Sequence, residues 1–296
     1  QLNLTSKQWT GDFDAMVNRR IIRVLVPHSR TLYYNDKGRE RGITAELVRD
    51  FEQYINRKYA KGPDKRPITV YIIPTTRDRL LPQLVAGGGD IAAGNLTAIE
   101  ERLKIVDFVA PRDRKPVREV VVTGPTAPHL ATVEELSGKT VHVNPVSSYY
   151  QSVVKLNDKL TAAGKPPVKI TSVPHELEDE DKLEMLNAGL FDYLVVDEWK
   201  AKIWAQVLPK VKVREDLVLR DDAYTGWAIR KNSPQLTAAL EDFYKNFVKK
   251  QGVVEARIAQ FNKRIKQMSN NTESAELMRF EATLDLFEKY GNKYGF

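Results

Sequence analysis

Short runs of β-branched and other apolar residues alternate along the chain with segments of helical periodicity. Residues 21–26 and 68–73 are two such runs, and each is closed by a proline. Between them, Leu47 and Phe51 recur at the spacing of one helix face. A third apolar run opens at Asp90, after three glycines. This β-α-β-α-β succession predicts a sheet of parallel strands with helices packed on its faces.

The same kind of succession begins again at residue 117 and gives a second unit of similar size. The strand predicted at 224–229 and the helix after Ser233 and Pro234 then lead the chain back to the first unit. We therefore predict an α/β protein with two lobes. The expected boundaries are 1–19 for an N-terminal extension, 20–110 with 218–252 for the first lobe, 111–217 for the second lobe, and 253–296 for a helical tail.

The tail differs in kind from the two lobes. Val254, Ile258, Phe261 and Ile265 recur at helical spacing. A second periodic set follows a polar break and comprises Leu277, Phe280, Leu284 and Phe287. Because an amphipathic face needs a partner, both helices must pack on the body of the protein, on another chain or on a further domain.

Composition narrows the possible classes of protein. The 296 residues are 42% hydrophobic and 29% charged, which is typical of a folded soluble protein. The net charge of +7 is scattered and no nucleic-acid-binding motif accompanies it, so we expect a solvated basic surface and no nucleic-acid partner; the alternative is attraction to an anionic polymer or a membrane surface. There is no cysteine for a disulfide, and no apolar run reaches the 18 or so residues of a membrane span. The absence of an initiator methionine favours a trimmed chain, with any membrane association supplied by a removed segment.

Catalytic and metal-binding motifs are missing from the sequence. It contains no H-E-x-x-H, G-x-S-x-G, G-x-x-x-x-G-K or G-x-G-x-x-G pattern. The four histidines show no ligand spacing, and the acid-rich residues 175–181 lack the mid-loop glycine of an EF-hand. We expect neither a cofactor nor a metal ion.

The most specific stretch comprises residues 84–102, followed by Val-Asp-Phe at 106–108. It resembles the extracellular solute-binding proteins, family 3, which take polar amino acids. That resemblance extends over about residues 20–250 and implies a type II periplasmic-binding fold, in which two lobes close on a ligand as a venus flytrap. By resemblance, Arg102 would hold a ligand carboxylate, assisted by the Thr97 hydroxyl and the backbone near Asn95. The alternative for Arg102 is a plain surface charge on a helix.

The second lobe supplies matching candidates. Ser147 and Ser148 open a helix whose N–H groups can receive an oxygen, although they could serve only as a helix cap. Asp197 ends the predicted strand 191–196 and by resemblance would receive the ligand ammonium group; it could instead pair with Lys200. The sequence departs from the family pattern in the loop before Ser147, where Pro-Val replaces the usual Gln-Gly.

Aromatic side chains are expected to cover the apolar part of a ligand. Tyr33 and Tyr34, which follow the first strand, are the first candidates, with Tyr149 and Trp199 behind them. Ordinary packing is the alternative for each. Gly94 and Asn95 stand where the family often has small hydroxyl residues, so a ligand other than a simple amino acid is compatible with the pattern.

The tail resembles a different family. Residues 257–265 and 280–296 are similar to the entry of the lysozyme-like domain in MltF-like membrane-bound lytic transglycosylases, where a solute-binding module comes first. Such an enzyme needs a general-acid glutamate, which by resemblance would lie beyond residue 296. The Glu-Ser pair at 273–274 lies ahead of the second tail helix and favours a helix start. We therefore expect no transglycosylase activity from this chain.

These resemblances lead to one main hypothesis and two alternatives. The main hypothesis is a periplasmic sensor module, associated with the outer membrane in the full-length protein. It would bind an amino acid or a muropeptide, with the missing catalytic domain as its partner. One alternative is a free-standing amino-acid-binding protein of an ABC transporter. The other is a glycosidase in its own right.

Overall fold

The structure is a computed structural model that describes residues 8–59, 66–111 and 116–272. The second predicted tail helix and the Glu-Ser pair at 273–274 lie outside these residues. No helix within the described ranges is long and apolar enough to cross a membrane.

The first lobe contains a short N-terminal helix followed by alternating strands and helices. Its elements in chain order are α1 (Phe13–Arg19), β1 (Ile21–Pro27), β2 (Tyr34–Asp36), β3 (Arg39–Arg41), α2 (Ile43–Tyr59), β4 (Thr69–Thr75), α3 (Arg77–Val85), β5 (Ile91–Thr97), α4 (Glu100–Leu103) and β6 (Val106–Val109).

The second lobe begins at the next strand, and the chain then returns to the first lobe. Its elements are β7 (Val117–Thr123), a 3-10 turn (Val133–Leu136), β8 (Thr140–Val143), α5 (Ser148–Ala162), β9 (Lys169–Ser172), α6 (Asp179–Asn187), β10 (Tyr193–Asp197), α7 (Glu198–Trp204) and β11 (Lys212–Ala223). The returning elements are β12 (Thr225–Arg230), α8 (Pro234–Phe243), a π-helical turn (Tyr244–Lys249) and α9 (Val253–Thr272).

Each lobe is organised around its own sheet. The first has the strand order β4-β1-β5-β12-β6. The parallel arrangement predicted from the sequence is confirmed for β4, β1 and β5, whereas β12 is antiparallel to both of its neighbours because it enters from the second lobe. In the second lobe β7 lies between β10 and β11, antiparallel to both, and the parallel pair β8 and β9 lies beside β10. The two-lobed α/β fold is confirmed.

Two connections join the lobes, one from β6 to β7 and one from β11 to β12. The boundary expected at 217/218 falls inside β11, whose pairing with β7 continues to Ala223. The N-terminal extension is not separate from the first lobe, since α1 packs on α8 and β1.

Helix α9 lies across both lobes. Val253 belongs to the hydrophobic core of the first lobe, together with Phe51 and Phe243. Phe261 and Ile265 belong instead to a core cluster of the second lobe. The amphipathic face predicted for this helix therefore packs on the body of the protein.

Ion pairs add to the attachment of α9 on the first lobe. The Arg257 guanidinium is 2.7 Å from the Asp50 carboxylate and 3.3 Å from that of Glu46, both on α2. Arg264 lies 3.6 Å from the other Glu46 oxygen. On the second lobe, the Gln206 amide donates to Asn262 Oδ1 at 3.3 Å.

Candidate ligand-binding site

The first lobe contributes three of the predicted residues to the cleft between the lobes. Asn95 and Thr97 lie at the end of β5, and Arg102 follows on α4. Asn95 has a φ of 51°, a left-handed backbone that asparagine tolerates better than most residues. Arg102 donates one hydrogen bond to the Thr97 carbonyl at 2.9 Å and one to the Val146 carbonyl at 2.7 Å. It therefore joins the two lobes through backbone oxygens.

The second lobe places three more predicted residues opposite these. Ser147 caps α5 by accepting a hydrogen bond from the Tyr150 N–H at 3.3 Å. The Ser148 hydroxyl donates to Thr97 Oγ1 at 3.2 Å, across the cleft. Asn95 Nδ2 donates to Asp197 Oδ2 at 2.6 Å. The structure thus brings Asn95, Thr97, Arg102, Ser148 and Asp197 together, with Ser147 beside them.

Asp197 belongs to a buried charge cluster and lies against Asn95 and Lys200. Its Oδ2 lies 3.7 Å from the Lys200 ammonium, which pairs more closely with Asp179 at 2.6 Å. Lys182 pairs with the other Asp179 oxygen at 2.8 Å. Asp197 Oδ1 has no hydrogen-bond partner among the described residues, so one buried acceptor remains available.

Burial and neighbouring charges set the protonation of this cluster. Burial raises the pKa of Asp197, and the nearby Lys200 only partly opposes that effect. Burial also acts to raise the pKa of Asp179, but Lys182 and Lys200 outweigh it and hold that pKa well below its usual range. Burial, together with the charge of Arg77, lowers the pKa of Arg102 to about 10. Arg102 remains a cation at neutral pH.

Side chains that the sequence analysis did not single out seal one end of the cleft. Arg77, at the start of α3, donates to both carboxylate oxygens of Glu178 at 2.7–3.0 Å. Its remaining nitrogen donates to the Gly94 carbonyl at 2.9 Å. The Glu180 carboxylate accepts from the hydroxyls of Ser29 and Thr31 at 2.7 and 3.0 Å. The acidic start of α6 is therefore bound to the first lobe.

The cavity left between these groups is small and polar, with a volume of about 20 Å³. Its lining carries both signs of charge and several hydroxyls; it comprises Arg77, Asn95, Thr97, Arg102, Asn144, Ser147, Ser148, Tyr149, Leu177, Asp179, Lys182 and Lys200. Such a lining suits a zwitterionic group, because cations and carboxylates lie within one enclosure. In the described part of the chain, no group of three or more His, Cys, Asp or Glu side chains is arranged to hold a metal ion.

The aromatic candidates divide into two pairs. Tyr149 lines the polar cavity and Trp199 lines a second cavity between the lobes. Tyr33 and Tyr34 line neither, contrary to the expectation from the sequence. Backbone pairing of Tyr33 with Ser29 directs the Tyr33 side chain into the core of the first lobe, and Tyr34 starts the small β2-β3 hairpin.

Curated relatives of this chain are membrane-bound lytic murein transglycosylases F. That of Saccharophagus degradans is 26% identical over 183 residues, which are 62% of this chain and 34% of that protein. That of Photobacterium profundum is 22% identical over 302 residues, which are 98% of this chain and 55% of that protein. The chain thus spans between about a third and about half of the length of these relatives.

Solved structures with a similar fold are amino-acid-binding proteins. An amino acid ABC transporter substrate-binding protein, AbpA, from Streptococcus pneumoniae bound to L-arginine has a TM-score of 0.68 and 18% identity. The match covers 85% of this chain and 98% of that one. An ancestral arginine-binding protein bound to arginine has a TM-score of 0.65 and 22% identity, with 82% and 98% covered.

A family model matches residues 22–279, which is most of the chain. The matched range includes both lobes, the cleft residues and α9. The fold is that of a binding protein. The chain belongs to the bacterial extracellular solute-binding proteins, family 3.

Proposed function

We propose that this chain is a periplasmic ligand-binding module that closes on an amino acid or a peptidoglycan-derived peptide and regulates an attached lytic transglycosylase. The observation that carries the proposal is the polar cleft, to which each lobe contributes charged and hydroxyl groups. A ligand held by both lobes stabilises the closed form by its differential affinity for that form.

Each of the six predicted polar site residues has a role in this proposal. Arg102 and the Thr97 hydroxyl would take the ligand carboxylate, with the backbone near Asn95 as a further donor. Asp197 would receive the ammonium group through its unpartnered oxygen. Ser147 and Ser148 would present hydroxyls at the N-terminus of α5 to a carbonyl or carboxylate oxygen.

The regulatory part of the proposal is supported by the relatives and by α9. The curated relatives are named as transglycosylases, and this chain matches only part of their length. Helix α9 contacts both lobes and leads towards the C-terminus. Lobe movement would therefore be transmitted to whatever follows the module.

Replacing Arg102 with alanine is expected to weaken ligand binding at least about a hundredfold, because the carboxylate would lose a buried charged donor. A thermal-shift screen of amino acids and cell-wall peptides identifies the ligand, since a ligand of the native state alone raises the apparent stability. Calorimetric titration then measures the loss. Lys104→Ala is the matched control, because Lys104 is an exposed cation on the same segment. An unchanged affinity in Arg102→Ala would show that Arg102 does not bind the ligand carboxylate.

A second candidate is a free-standing amino-acid-binding protein that delivers cargo to an ABC transporter. The fold match to a transporter substrate-binding protein favours it. The natural reading frame distinguishes the two candidates. A frame that continues past codon 296 into a lysozyme-like domain supports the sensor, and a stop codon near Phe296 supports the transporter protein.

A further inference from the structure

A second and larger cavity lies between the lobes on the side of α9. Its volume is about 100 Å³, against about 20 Å³ for the polar cavity. We call it the hinge cavity, because Thr225 and Gly226 at the crossover into β12 line it. Asn95 lines both cavities, so the two are neighbours at that residue.

The polar cavity has no room for a ligand side chain towards α6. Arg77 and Glu178 close that direction with a bidentate ion pair whose side chains are 13% and 4% exposed. Asp179 with its two lysines forms the adjacent wall, and all three of those side chains are at most 5% exposed. A side chain pointing that way would have to separate buried ion pairs, which is costly.

The hinge cavity has a mainly apolar lining, in contrast to the charged lining of the polar cavity. Its apolar lining comes from the first lobe, the second lobe and α9, and includes Leu47, Trp199, Trp227, Tyr244, Val254 and Ile258. The one cation in its lining, Arg257, already makes a bidentate pair with Asp50. A largely apolar lining selects an apolar group, and the tryptophan rings favour an aromatic one.

We propose that the ligand is an α-amino acid, or the terminal residue of a peptide, with an aromatic side chain that passes Asn95 and lies in the hinge cavity. Its charged end occupies the polar cavity, so this inference rests on the proposed function. Val254 and Ile258 then touch the ligand directly. Helix α9 therefore contributes to ligand specificity and also transmits the lobe movement.

Calorimetric titration of the 296-residue chain with L-phenylalanine, glycine and L-arginine tests the inference. L-Phenylalanine is expected to bind on the order of tenfold to a hundredfold more tightly than glycine, because only its side chain fills the apolar cavity. L-Arginine is expected to bind no better than glycine, since its guanidinium would be desolvated without a free carboxylate. Equal binding of glycine and L-phenylalanine, or preference for L-arginine, overturns the inference and leaves the proposed function standing.

A second experiment fills the hinge cavity with a larger side chain. Ile258→Trp is expected to remove the preference for L-phenylalanine while glycine still binds, and Ala259→Trp, at an exposed position of the same helix, is expected to keep it. Val254→Phe fills the same space from one turn earlier and replaces Ile258→Trp if that variant does not fold. A preference that survives the filling variant overturns the inference. Failure of every amino acid and cell-wall peptide to bind the wild-type chain overturns both the inference and the proposed function.

Discussion

Replacing Asp90 with alanine is expected to lower the free energy of unfolding by about 3–5 kcal/mol, the cost typical of breaking a buried ion pair from one side. Asp90 is fully buried in front of β5. It accepts hydrogen bonds from the Arg23 backbone N–H at 2.8 Å and from the Arg23 guanidinium at 2.9 Å. Arg19 and Arg230 also pair with it. Three guanidinium groups would lose their shared carboxylate.

Burial already lowers the pKa of Arg19 and of Arg230, and the Asp90 charge opposes that effect. Urea unfolding followed by circular dichroism measures the loss. Asp107→Ala is the control, because Asp107 sits in the same sheet but forms an exposed pair with Lys231; it is expected to cost less than about 1 kcal/mol. Similar losses in the two variants would contradict the role given to Asp90.

Lys200→Met is expected to destabilise the chain by a comparable amount, about 3–5 kcal/mol at neutral pH. The lysine is 3% exposed and lies between Asp179 and Asp197. Methionine fills a similar volume without the charge. Asp179 would keep Lys182, but Asp197 would keep only the Asn95 amide as a partner. The destabilisation therefore comes mainly from the Asp197 carboxylate, which is left buried without a paired cation.

The pH dependence of this cost has a definite sign. Burial raises the pKa of Asp197 in the folded chain, and loss of Lys200 raises it further. A carboxyl whose folded pKa exceeds its unfolded value destabilises the fold when it is ionised, and protonation removes that penalty. The difference between wild type and Lys200→Met is therefore expected to be larger near about pH 8 than near about pH 5. Denaturant titrations at both pH values measure it.

Lys202→Met is the matched control for Lys200→Met. Lys202 lies on the same helix, α7, but is 44% exposed and pairs with Glu198 and Glu215. It is expected to cost less than about 1 kcal/mol. A deficit for Lys200→Met that grows as the pH falls would show that Asp197 is not the group left uncompensated.

The sequence predicts the first-lobe side of the site because its signals are local. The glycine break, the short strand that starts after Asp90 and the Thr-x-x-x-x-Arg spacing all lie within residues 84–102. Strand β5 and helix α4 place Asn95, Thr97 and Arg102 together without help from the second lobe. On the second lobe, Asp197 is likewise indicated by a local signal, because it ends a buried strand.

The remaining wall of the site arises from contacts between distant parts of the chain. Arg77 meets Glu178 across 101 residues, and no local spacing indicates that partner. The one local signal for Arg77 is its position just after β4 and at the start of α3, which is the edge of the sheet that borders the cleft. Tyr33 shows the converse: its position after β1 suggested the cleft, but pairing with Ser29 turns its side chain into the core.

Helix α9 is attached to the first lobe by ion pairs and by the burial of Val253, and to the second lobe mainly by apolar burial. Arg257 and Arg264 hold it to α2 through ion pairs in which the arginines are 30% and 25% exposed, whereas Phe261 and Ile265 hold it to the second lobe by apolar burial. A change in the angle between the lobes must strain one attachment, since a helix does not stretch. Salt screens partly exposed ion pairs and leaves apolar contacts in place, so higher ionic strength weakens the polar part of the first-lobe attachment while Val253 stays buried there. Higher ionic strength is therefore expected to make lobe movement easier, because it weakens one of the contacts that such a movement has to strain.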